Sequence, residues 1–143
     1  MPMRHPAIIE ICRKDPRYEY EAYEFVFEAL LHTQQMLGKV PKEEEEEGKS
    51  PEERSDYHVT GQQLLHGICD LALRQFGRMA WTVFRRWGIT STDDFGEIVF
   101  NLIEAGLMSK RPEDSRADFH NVFDLEEALS HYEIQLDELG SAS

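Results

Sequence analysis

A chain of 143 residues carrying a net charge of −13, two cysteines and 41% hydrophobic residues is long enough to bury one core, and too poor in cysteine for a disulfide framework. No apolar run approaches the roughly 20 residues that cross a bilayer, and the opening "MPMRHPAIIEICRKDPRY" lacks the apolar stretch of a secretion signal, so the expected compartment is the cytoplasm. The negative charge is uneven: residues 1–57 carry 14 acidic and 8 basic side chains, residues 58–116 carry 7 of each, and residues 117–143 carry 7 acidic and none basic. A neutral middle weakens a nucleic-acid reading without closing it, because polyanion binding needs local positive potential.

Ala7, Ile8, Ile11 and Cys12 recur at helical spacing between His5 and Lys14. Asp15-Pro16 then reads as stop and restart, with Asp15 as N-cap and Pro16 at the first position of a long helix, "PRYEYEAYEFVFEALLHTQQML", ended by Gly38. The polar stripe of that helix is narrow, so it is expected to be packed on two sides as a strut. Residues 1–38 thus form an N-terminal helical hairpin. Residues 39–57, "KVPKEEEEEGKSPEERSDY", hold a five-glutamate run and little to bury, and read as an acidic, flexible linker.

Order resumes at His58. Thr60 with Gln63 makes a capping box, Val59 and Leu64 a hydrophobic staple, and Leu64, Leu65, Ile68, Leu71, Ala72 and Phe76 an apolar stripe that Gly77 ends. A short helix, Arg78 to Trp87, turns Ala80, Val83, Phe84 and Trp87 inward and closes at Gly88. In "TSTDDFGEIVFNLIEAG", hydroxyls and two aspartates suit a helix start, Phe95, Ile98, Val99, Leu102 and Ile103 form its stripe, and Gly106 stops it. "LMSK", "RPEDSR" and "ADFHNVF" then read as a β-hairpin, and Asp124 with Glu127 opens a last helix to about Tyr132, before an acidic tail over 133–143. The expected fold is mostly α with a small β-hairpin: a winged-helix-like three-helix unit over 58–132, packed as one domain with the helical hairpin.

Three stretches, "RYEYEAYEFVFEAL", "HVTGQQLL" and "WGITSTDDFGEIVFNLIEAGL", together resemble a family of short uncharacterised bacterial proteins with an Ala-Tyr-Glu-Phe-Val helix and an Asp-Phe-Gly-Glu helix. The resemblance implies a bacterial origin and a shared fold, and supplies no catalytic residues.

The Thr90–Gly106 helix sits where a recognition helix would, yet it carries no basic residue, and its outward positions Glu97, Asn101 and Glu104 suit a basic or polar protein surface better than phosphate. Positive charge lies beside it. Arg74, Arg78, Arg85, Arg86, Lys110, Arg111 and Arg116, with Trp81 and Trp87 interleaved, make the candidate interaction surface for a protein, with nucleic acid as the less favoured partner. For a metal, only His66 and Cys69, three apart on one helix, with His58 nearby, are candidates, and a second ligand pair is missing. No phosphate loop, nucleophile elbow or metalloprotease pair is present, which leaves no catalytic residues or cofactor to name and favours a non-enzymatic module. Tyr20, Tyr23 and Phe27 offer an aromatic edge through which the strut helix would pair two copies if the chain left it uncovered.

Overall fold

The computed structural model of the protein describes residues 5–38 and 58–130; the expected linker, the end of the last helix and the acidic tail lie outside the described residues. Helix α1, Pro6–Lys14, begins on a proline whose missing N–H costs nothing there, with His5 Nδ1 accepting the Ala7 N–H at 3.1 Å, and buries Ile8 and Ile11. Asp15 ends this helix and does not open the next. Its carboxylate takes the Arg17 backbone N–H at 3.2 Å and both edges of the Arg17 guanidinium at 2.8 and 2.7 Å, so it is not available to cap.

Helix α2, Tyr20–Met36, therefore starts four residues later than Pro16, with Glu19 as N-cap. It is the strut. Tyr20, Ala22, Tyr23, Phe25, Val26, Ala29 and Thr33 are buried, and it packs mainly on α3, Gly61–Phe76, and also on α1 and on the later helix Thr92–Glu104. Gly67 sets the α2–α3 approach: a Cβ there would stand 1.7 Å from Thr33 Oγ1, so only a glycine lets the backbones come this close. Helix α3 begins as its sequence requires, with Gln63 N–H on Thr60 Oγ1 at 3.1 Å and Thr60 N–H on Gln63 Oε1 at 3.0 Å.

Gly77, at φ 52°, turns the chain through a 3₁₀ turn, Gly77–Met79, into α4, Ala80–Arg86. Ala80 and Phe84 face inward, and Phe84 sits among Phe25, Phe95 and Trp87 with ring centroids 5.1 to 6.1 Å apart. Gly88, at φ 92°, crosses close to the Arg17 carbonyl, where a Cβ would lie 2.1 Å away, and the Glu19 N–H donates to the Trp87 carbonyl at 3.2 Å. Helix α5, Thr92–Glu104, is opened by Ser91 and Asp94 in a capping box and buries Phe95, Ile98, Val99, Phe100 and Leu102.

The expected hairpin is absent: among the described residues there is no β-strand, and the winged-helix assignment falls with it. The helix order α3–α4–α5 stands, and the region read as a wing is a loop stitched onto those helices. Asp118 accepts the Ser115 N–H at 3.0 Å and closes a 3₁₀ turn, Arg116–Phe119, where a strand was expected. Phe119 lies in a slot bounded by Gly61 and Gly96, at which a Cβ would meet its side chain at 2.9 and 2.8 Å. Beyond it Asn121 takes φ 45°, outside the strand region. The backbone groups that a partner strand would have satisfied go to side chains instead: Thr92 Oγ1 donates to the Phe119 carbonyl at 2.7 Å and accepts the Val122 N–H at 3.1 Å, and Asp93 accepts the Asn121 N–H at 2.8 Å. Residues 125–130 are helical again. The result is an all-helical domain around one core, and no helix of the described residues is long and apolar enough to cross a membrane.

Candidate functional site

The seven basic residues do not share one face. Arg74 is thirteen residues beyond Gly61 on α3, about 20 Å along the axis at 1.5 Å per residue, whereas Lys110 and Arg111 line a cleft at the Gly61 end. Arg116 is apart from both. Its guanidinium lies over the Phe100 ring at 5.0 Å and reaches Glu97 at 3.1 Å and Glu104 at 3.7 Å.

Those two glutamates, with Asn101, are the alternative surface on α5, and all three have partners within the chain. Glu97 also lies 3.8 Å from Arg17, and Asn101 donates to Asp15 at 3.0 Å and to the Tyr23 hydroxyl at 3.1 Å. The fork from Arg17 holds the Asp15 carboxyl well below the usual carboxylate range, so that carboxyl stays charged at any ordinary pH. Burial, with a 2.6 Å hydrogen bond to Asp94, pushes the Tyr18 hydroxyl far up, while burial raises Tyr23 to about 12. Both hydroxyls remain neutral, Tyr18 donating to Asp94 and Tyr23 accepting from Asn101. The network joins the α1–α2 turn to α5, and Tyr20 and Tyr23 are buried within it or beside it, which leaves half-buried Phe27 and exposed Leu31 as the outward part of the strut.

The outer face of α4 is different. Residues 71–92 contain four arginines and no Asp or Glu, in a chain whose net charge is −13. Arg74 is held by Asp70 at 2.7 Å, but among the described residues Arg85 and Arg86 have no carboxylate within ion-pair distance. Arg85 lies over the Trp81 ring at 5.7 Å, and Met79 is 56% exposed beside them. Because Ala80 and Phe84 point into the core, Arg78, Met79, Arg85 and Arg86 are exposed on the outward side, and half-buried Trp81, packed against the core at its base, borders them.

At the other end of α3 is a cleft of about 440 Å³, walled by Leu30 of α2, Leu64 of α3, Val99 and Ile103 of α5, and Met108 and Phe119 of the loop. His58 Nε2 and Asp114 Oδ2 stand 2.9 Å apart on its rim, both only 17% exposed, and Asp114 also accepts the Arg111 N–H at 2.8 Å. Sequence reasoning missed this cleft, since its walls come from four separate segments and no local period reports them.

His66, one metal candidate, is exposed and stacked on Phe123 with centroids 5.6 Å apart. Burial pushes the thiol of Cys69, the other, up to about 12, so at neutral pH it is a protonated thiol and a poor ligand or nucleophile. His58 lies against Asp114 at the far end of the cleft wall. Among the described residues no three His, Cys, Asp or Glu side chains gather in a way that would hold a metal ion.

No protein-family model matches the chain, and no similar curated protein or solved structure was found.

Proposed function

We propose that this protein is a non-enzymatic interaction module whose working face is the outer side of α4, and that its partner is a protein surface carrying acidic side chains around an apolar spot. The observation that carries this reading is the charge inversion over residues 71–92, a segment with four arginines and no Asp or Glu in a strongly acidic chain, in which Arg85 and Arg86 lie near Trp81 and exposed Met79. Arginine, tryptophan and methionine are the side chains enriched at protein interfaces, and the charge pattern steers an acidic partner while repelling basic ones. Nucleic acid is less favoured. Lys110, Arg111 and Arg116 lie elsewhere, so a phosphate backbone would meet only a small group of cations on a molecule of net charge −13. The family resemblance in the sequence is compatible with such a module and assigns no residue to it.

The test is a titration of the isotope-labelled full chain with a peptide carrying one leucine or phenylalanine between glutamates, beside a DNA duplex of similar charge. The expected result is saturable shifts of amides 78–86 with the peptide, lost in the Arg85→Glu, Arg86→Glu double variant while its melting temperature is unchanged. No shift at low salt, or tighter binding of the duplex with a steep salt dependence, would reject the reading.

A further inference from the structure

We infer that the cleft at the Gly61 end of α3 is a separate ligand site for a small organic anion, a carboxylate on an apolar body. Its volume of about 440 Å³ falls in the range of about 300–1,000 Å³ typical of small-molecule pockets. More telling is how its walls are fixed. Phe119 is held by its slot against Gly61 and Gly96 and by the Thr92 hydroxyl on its carbonyl, so this wall cannot slide inward to close the space. The opposite rim is a turn, in which the Asp114 N–H donates to the Arg111 carbonyl at 3.0 Å and the Asp114 carboxylate accepts the Arg111 N–H at 2.8 Å, with His58 Nε2 packed 2.9 Å from that carboxylate without hydrogen-bonding to it. A gap between rigid, differently stapled walls is a preformed site and not slack packing.

The apolar part of the ligand is specified by Leu64, Val99, Ile103 and Met108, which supply no hydrogen-bonding side chain. Its charge is specified by Lys110. The ammonium donates to the backbone carbonyls of Arg111 at 3.2 Å and Asp114 at 3.4 Å, oxygens that orient it without cancelling its charge. Two carboxylates, Asp114 and Asp118, also line the cleft, but each accepts backbone N–H groups of the loop, from Arg111 and from Ser115, and Asp114 is met by His58 as well. Arg111 also lines the rim but lies 3.9 Å from Glu113, whereas the N-terminus of α3, opening at Gly61 on the cleft wall, adds the positive end of a 16-residue helix to the Lys110 charge. A carboxylate head is thereby favoured at the mouth with its apolar body inside.

Octanoate is a suitable probe and octanamide its neutral counterpart. Titrated into the labelled full chain, octanoate is expected to give saturable shifts at Leu64, Ile103 and Met108, with octanamide at least about fivefold weaker. Lys110→Glu, at an exposed position, is expected to bring octanoate down to the octanamide level while octanamide binding and the amide spectrum of residues 111–119 in the free protein stay as in the parent, which separates lost charge from a lost rim turn, and Met108→Trp to block both probes by filling the mouth. Equal affinity for the two probes, insensitivity to Lys110→Glu, or no saturation at millimolar concentration overturns the assignment.

Discussion

The two ends of α3 are built by different physics. At the Phe76 end the rings of Phe25, Phe76, Phe84 and Trp87 interlock, with Phe95 reaching Phe84 from α5, and the contact is apolar packing throughout. At the Gly61 end a loop without a strand is fastened by single side chains, Thr92, Asp93 and Asp118, to backbone groups that have no partner in a sheet or helix. Ring packing is non-directional and dense, so it anchors a short helix firmly enough that the outer side of that helix is free to carry arginines. Side-chain staples are directional, and they fix a wall at a distance from its neighbours. One end therefore makes a surface and the other a cavity.

The largest way to break that contrast is Phe84→Ala. Phe84 is fully buried at the centre of the ring cluster, and removing it costs a transfer term and a cavity term, about 3–5 kcal/mol. Urea unfolding of the variant should show that loss together with the collapse of any binding on α4. A loss below about 1 kcal/mol would mean that the rings do not carry this end of the molecule.

Thr92→Val acts on the other end and is isosteric, so it leaves the apolar contacts in place. It removes the donor to the Phe119 carbonyl and the acceptor of the Val122 N–H, and a buried group left without a partner costs about 1–3 kcal/mol, the part-buried Val122 N–H adding less because water can reach it. The change should be local: faster amide exchange over 115–123 and weaker octanoate binding, with the α4 surface unaltered. Uniform loosening of both ends would show that they are one cooperative unit and not two.

The contrast also decides what was legible in the sequence. Helices ended by glycine and begun by reciprocal caps could be read locally, as Thr60 with Gln63 and Gly77 show, because the bonds that define them run between residues three or four apart. The apolar stripes could be read for the same reason. What misled was alternation in "ADFHNVF": Phe119 is buried, but Val122 and Phe123 are only partly so, and the backbone partners of the segment come from Thr92 and Asp93, nearly thirty residues earlier. Asp15-Pro16 misled in a similar way, since the Arg17 fork competes for a carboxylate that would otherwise cap a helix. The arginine group was visible as composition, yet its division between the two ends of α3 depends on where residues 108–116 return to the helices, which only tertiary contact determines. The cleft had no local signal at all.

A smaller effect sharpens the comparison from between the two ends. Asp70, near the middle of α3, bridges to α2 through His32 at 2.7 Å and is joined on its own helix by Arg74 at 2.7 Å. Burial alone would push its carboxyl up, but the hydrogen bonds from His32 and Arg74 outweigh that and hold it below the ordinary carboxylate value. A carboxyl whose folded pKa is depressed contributes stability that is present above its unfolded pKa, about 4, and is lost as pH falls through the folded value. Arg74 is 63% exposed and its bond to Asp70 is screened, so Asp70→Asn should lower the unfolding free energy at pH 7, read from urea denaturation, by less than about 1 kcal/mol. The gap between variant and parent should narrow as pH falls from 7 to 2.5, in the direction of the depressed folded value of Asp70. Asp15 titrates identically in both proteins and cancels from the comparison. An equal gap at both pH values would assign the bridge to hydrogen-bond geometry alone, and the strut would then be joined to α3 by packing at Gly67 and Thr33 without help from charge.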